Sequence, residues 1–137
     1  MALQKTSERV PWWIQLIVIV GALLSAAGAI IALVNPAMLV GSQAEINSAA
    51  HVFASYFAAR NLALACILLA LFGLGARRAL GQILALVGVI QLIDTVMDCL
   101  EGRWAVAPGV LILGLLFLLA ATKLCRRSLW NRQAWLD

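Results

Sequence analysis

The stretch that decides the fold is YFAARNLALACILLALFGLGARRALGQILALVGVIQLIDTVMD, residues 56–98. Two apolar runs meet in it at a short basic turn, GARRA, which is typical of a chain that crosses an apolar layer and returns. Each run nevertheless carries charge, namely Arg60 in the first run and Asp94 and Asp98 in the second. Because charged side chains inside a membrane are costly, they pair with one another and by default mark a functional site.

The composition is that of an integral membrane protein. Of 137 residues, 64% are hydrophobic and only 12% are charged, and the mean hydropathy is +1.00. A soluble domain would have roughly 45–50% apolar and about 25% charged residues. The length fits one domain, so we predict a single membrane domain over residues 1–137.

Four segments are long enough to span a bilayer, which takes about 20 residues. They are the segments at about 12–34, 52–75, 79–100 and 104–124. We therefore predict an all-α fold: an integral membrane four-helix bundle in antiparallel up-down order. The connection 35–51 is long for a link between helices, and we expect it to cap the bundle. The segment 125–137 is basic and aromatic, so we expect an interfacial tail along the membrane surface.

Basic residues are distributed unevenly between the two sides of this bundle. Eight of the ten fall on the side of the termini and of the GARRA turn: Lys5, Arg9, Arg77, Arg78, Lys123, Arg126, Arg127 and Arg132. Only Arg103 falls on the other side, and Arg60 lies within a helix. By the positive-inside rule, we expect both termini to be cytoplasmic. The net charge of +4 then favours anionic lipids as partners rather than nucleic acid.

Counting along the hairpin suggests how the charges are tolerated. Arg60 lies 15 residues before Gly75, and Asp94 lies 15 residues after Ala79. At 1.5 Å per residue both are about 22 Å from the cytoplasmic end, so they should be at the same depth. We predict an Arg60–Asp94 ion pair and, from the same register, a hydrogen bond between Tyr56 and Asp98.

The polar residues of the third helix form one stripe. Gln91, Asp94, Asp98 and Glu101 are spaced three or four residues apart, which places them on one helix face. If this stripe faces the second helix, the two helices enclose a polar pocket. We predict that this pocket opens toward the outer half of the membrane. The expected ligand-binding residues are Arg60, Asn61, Gln91 and Asp94. The sequence shows no metal-ligand spacing and no cofactor motif, so we expect neither a metal nor a cofactor.

The run quoted above resembles the DoxX-like superfamily of small four-helix membrane proteins, and more narrowly an uncharacterised branch of that group. The matching features are Arg60 in AARNLAL, the turn GARRALG and Asp94 in QLIDT, and the resemblance covers about residues 30–122. It implies a four-helix bundle in the cytoplasmic membrane. Named members of the family are associated with thiosulfate oxidation coupled to quinone and with oxidative-stress complexes.

Three functions remain open at this point. The first is binding of a lipophilic small molecule, quinone- or isoprenoid-like, in the pocket centred on Arg60 and Asp94. The second is a membrane-embedded acid–base enzyme, an isomerase, epoxide hydrolase or cyclase, whose catalytic residues would be Asp94, Asp98 and Tyr56. The third is a structural subunit, either in a homo-oligomer or in a larger membrane complex.

Overall fold

The computed structural model describes residues 10–40 and 47–125, and within them the regular secondary structure consists of helices joined by short turns. The helices are α1 (Trp12–Val34), α2 (Ala37–Val40), α3 (Ser48–Gly73), α4 (Arg77–Leu100) and α5 (Ala107–Cys125). The four longer helices are each long and apolar enough to cross a membrane. The prediction of an all-α chain with four potential membrane spans is therefore confirmed. The tail predicted over 125–137 lies, apart from Cys125, outside the described residues.

Three helices begin at other residues than predicted, and a local signal explains two of these differences. Helix α4 begins at Arg77, two residues before the predicted start. Helix α3 begins at Ser48, four residues before the predicted start. The side chain of Asn47 accepts a hydrogen bond from the Ala50 amide at 3.0 Å and thereby caps an otherwise unpaired helix terminus. Helix α5 begins at Ala107 rather than at 104. Pro108 then lies in its first turn, where the missing amide proton is not needed.

The predicted connection 35–51 is only partly irregular. It contains the short helix α2, which follows Pro36, and the first residues of α3. Pro36 is buried and Leu39 is half-buried against a small cluster of alanines from α1 and α3. The described part of this connection therefore packs onto the bundle, and residues 41–46 lie outside the described residues.

Two glycines with positive φ end α3 and α4 in the same way. Gly75 has φ 66° and Gly102 has φ 73°, a backbone conformation that side chains with a Cβ rarely adopt. After α4, the amide of Gly102 donates to the carbonyl of Cys99 at 3.2 Å, and the amide of Arg103 donates to the carbonyl of Asp98 at 2.8 Å. These two bonds form a Schellman motif, which turns the chain back over the last turn of the helix.

The tight core lies at one end of the bundle. The largest fully buried side chains come from the first half of α1, the second half of α3, the first half of α4 and the second half of α5: Ile14, Val18, Leu68, Leu80, Leu84 and Phe117. At the opposite end the buried cluster consists of three alanines, Ala29, Ala32 and Ala58. Small side chains fill little volume, so this end of the bundle leaves room for a cavity.

Helices α4 and α5 pack closely because glycines lie at their contact. A Cβ added to Gly81 would come within 3.1 Å of Leu124, and one added to Gly88 would come within 2.8 Å of Leu118. Helices α1 and α3 form the second closely packed pair, and fewer contacts join α3 to α4. The bundle thus consists of two pairs that share the core at one end and separate at the other.

Candidate functional site

A cavity of about 670 Å³ occupies the loosely packed end of the bundle. Its wall is built from the second half of α1, the first half of α3, the last turns of α4 and the beginning of α5. Five charged side chains line it: Arg60, Asp94, Asp98, Glu101 and Arg103. Ser25, Asn61 and Gln91 add uncharged polar groups, and most other lining residues are apolar.

Arg60 and Asp94 form the predicted ion pair. The Arg60 Nη2 atom on α3 lies 3.5 Å from the Asp94 Oδ2 atom on α4. The guanidinium also lies over the Phe57 ring, 5.5 Å from its centroid, which is cation–π geometry. The side chains are 44% and 38% exposed, so the pair is only half enclosed by protein and faces the cavity. Equal depth in the hairpin was enough to predict this contact.

Asp98 pairs with Arg103 and not with Tyr56. The Arg103 Nη2 atom lies 3.3 Å from the Asp98 Oδ1 atom, and its Nη1 atom lies 3.7 Å from the Glu101 Oε2 atom. Tyr56 is 72% exposed and does not contribute to the cavity wall. The predicted hydrogen bond between Tyr56 and Asp98 is therefore wrong for the structure described here. Asp98, at 8% exposure, is the buried charged residue of the described chain, and Arg103 compensates its charge.

The two amide side chains of the predicted site both reach the cavity wall. The Asn61 Nδ2 atom donates to the carbonyl of Phe57 at 3.0 Å, which fixes the side chain and leaves its oxygen and one N–H. Gln91 is half-buried, and its Cβ packs against Gly114 of α5. With Arg60 and Asp94, these residues bring all four predicted ligand-binding side chains to one cavity.

The sequence-based prediction missed the role of Arg103. The charge count treats Arg103 only as the basic residue on the side away from the termini, whereas in the structure Arg103 turns back over Asp98 and Glu101. The signal was present in the sequence, because a glycine just beyond the end of a helix, here Gly102 after Leu100 and Glu101, predicts a reversal of this kind. The aromatic part of the wall, formed by Phe53 and Phe57, was also not predicted.

The described residues show neither a metal-binding cluster nor a disulfide. They hold no group of three or more His, Cys, Asp or Glu side chains placed to bind a metal ion. Cys66, Cys99 and Cys125 are free thiols. The chemical features of the site are therefore its ion pairs, its amides and its apolar wall.

No protein-family model, curated protein or solved structure matches the chain. The fold and the cavity define a class: a small multi-pass helical membrane protein with a charged cavity at one end of its bundle. The function must therefore be inferred from the geometry of that cavity.

Proposed function

We propose that the protein binds a lipophilic small molecule, quinone- or isoprenoid-like, in the cavity centred on Arg60 and Asp94. The observation that carries this proposal is the cavity itself. Its volume of about 670 Å³ lies within the range of roughly 300–1,000 Å³ that is usual for small-molecule sites. An apolar wall with a few convergent polar groups is also the usual composition of such a site.

Each polar residue has a definite role in this proposal. Arg60 and Asn61 donate hydrogen bonds to the polar head of the ligand, because each keeps N–H groups beyond those already bonded. Asp94 holds the Arg60 guanidinium in place. Gln91 offers both a donor and an acceptor from the opposite wall.

The apolar tail of the ligand would lie along the aromatic side of the cavity. Phe53 and Met97 line the cavity and remain 73% and 52% exposed. In a membrane these exposed surfaces meet lipid tails, so a lipophilic molecule can reach the cavity sideways between α3 and α4. Few contacts between these two helices leave that side open.

The proposal includes an antiparallel up-down bundle in the inner (cytoplasmic) membrane. Both termini lie on the cytoplasmic side. The contacts between α4 and α5 support the antiparallel order. Gly81 lies next to Leu124, and Gly88, which comes later in α4, lies next to Leu118, which comes earlier in α5. The concentration of basic residues beside the GARRA turn supports the orientation. The resemblance to the DoxX-like superfamily is retained as part of the proposal, since it implies the same bundle.

The enzyme alternative receives less support from the geometry. It needs a carboxylic acid that is free to give a proton, but Asp94 and Asp98 each have an arginine partner. It also used Tyr56 as a relay, and Tyr56 lies outside the cavity wall. The structural-subunit alternative leaves the cavity without an occupant. For these reasons binding is the function that we favour.

The test is to purify the protein, extract it with organic solvent and identify the released molecules by mass spectrometry. Wild type should release a lipophilic molecule in stoichiometric amount, and Arg60→Leu should lose it. Tyr56→Leu is the matched control, because Tyr56 lies one turn away on the same helix but outside the cavity. Release of bulk phospholipid alone from all three proteins would refute the binding function.

A further inference from the structure

The charged side chains around the cavity do not balance. Among the residues that the structure describes, three carboxylates of the wall, Asp94, Asp98 and Glu101, face two guanidinium groups, Arg60 and Arg103. One negative charge is therefore in excess on the cavity wall. The lone histidine, His51, is exposed and is not part of the wall, so it does not restore the balance.

Both arginines are already engaged with carboxylates. Arg60 is paired with Asp94 at 3.5 Å, and Arg103 is shared between Asp98 at 3.3 Å and Glu101 at 3.7 Å. An acidic head group would share one of these guanidinium groups with a carboxylate and would add a second uncompensated negative charge to the cavity wall. Because like charges repel more strongly in a partly buried site than in water, this second negative charge would weaken binding.

A head group that donates hydrogen bonds fits the cavity without disturbing its ion pairs. It can bond to the carboxylates and to the Gln91 amide oxygen without breaking either ion pair. A positive charge on the head group would in addition compensate the excess negative charge. The attraction between opposite charges is larger in a partly buried site than in water.

We infer that the ligand of this cavity carries a donor head group, a protonated amine or a hydroxyl, and that acidic head groups are excluded. This inference rests on the proposed binding function and narrows its ligand class. Among quinone- and isoprenoid-like molecules it favours the alcohol or the reduced, hydroxyl-bearing form over carboxylate or phosphate derivatives. Both donor head groups should therefore bind more tightly than the acid.

The experiment uses three probes that share one isoprenoid chain: farnesylamine, farnesol and farnesoic acid. Their binding to the full-length protein is measured in nanodiscs of uncharged lipid, with empty nanodiscs subtracted, at a pH where the amine is protonated and the acid ionised. We expect the acid to bind at least about tenfold more weakly than the amine, which corresponds to about 1.4 kcal/mol. Glu101→Gln should reduce this ratio, because it removes the excess charge from an exposed position.

The outcomes separate this inference from the function on which it rests. Equal or tighter binding of the acid would overturn the donor-head inference and leave the binding function intact. Failure of all three probes to bind above the empty nanodisc would overturn the binding of isoprenoid-like molecules and the inference with it. An unchanged ratio in Glu101→Gln would show that the excess charge is not the cause of the selectivity.

Discussion

Removing one partner of the Arg60–Asp94 pair should destabilise the protein more than removing both. A fully buried ion pair loses about 3–5 kcal/mol when one partner is deleted, whereas an exposed pair is worth only about 0–1 kcal/mol. Since the two side chains are 44% and 38% exposed, we expect Asp94→Leu to lower the free energy of unfolding by roughly 1–3 kcal/mol. The double variant Arg60→Leu/Asp94→Leu should lose less, because it leaves no unpaired guanidinium beside an apolar surface.

The free energy of unfolding can be measured by titrating the protein in mixed micelles with sodium dodecyl sulfate and following helicity by circular dichroism. Wild type, both single variants and the double variant form a double-mutant cycle, which isolates the pairwise energy. Tyr56→Leu, on the same helix and exposed, should be close to wild type. Additive losses in the double variant would refute the ion pair as an energetic unit.

Three further predictions concern single positions. Gly102→Ala should lower the free energy of unfolding by about 1 kcal/mol, because a φ of 73° is strained for alanine. The same change should displace Arg103 and thereby weaken ligand retention. An unchanged melting temperature and ligand content would contradict this prediction. Tyr56→Phe should leave the amount of extracted ligand unchanged, whereas a loss would bring the tyrosine back into the site. Gly88→Ala should destabilise the protein by roughly 1–3 kcal/mol, since the new Cβ would lie 2.8 Å from a leucine of α5. Gly109→Ala is the control, because Gly109 has open space around it, and it should be neutral or stabilising. A thermal-shift assay measures both variants.

The sequence predicted the Arg60–Asp94 contact, for which equal depth along the two helices was sufficient. It missed the Asp98–Arg103 contact, which depends on the direction in which the chain turns after α4. Arg60 and Asp94 meet because they are equally far from the GARRA turn along two helices that share that turn. The same count also matched Tyr56 with Asp98, but equal depth does not fix the direction in which a side chain leaves its helix. Tyr56 faces outward, and the chain reversal after α4 supplies Asp98 with Arg103 instead.

Helix existence was predictable and helix ends were less so, for a physical reason. Apolar length decides whether a segment can span a membrane, and it identified all four long helices. The ends depend on single polar or conformational signals, such as the Asn47 cap and the proline in the first turn of α5. The volume of the cavity could not be predicted, because it depends on which interior positions carry alanine rather than larger side chains.

Fixing the helix register is not a sufficient role for the polar residues, because the packing already fixes it. Register between α4 and α5 is already fixed by the close contacts at Gly81 and Gly88, and Phe117 fits against Gly21 of α1. These contacts need no charge. The Arg60–Asp94 pair instead joins the two helix pairs where they separate around the cavity. A head group that bonds to either partner acts on that junction directly, while the core at the other end keeps the bundle folded. Charges that stabilise an open end, beside a cavity and away from the core, are better explained by a ligand than by register.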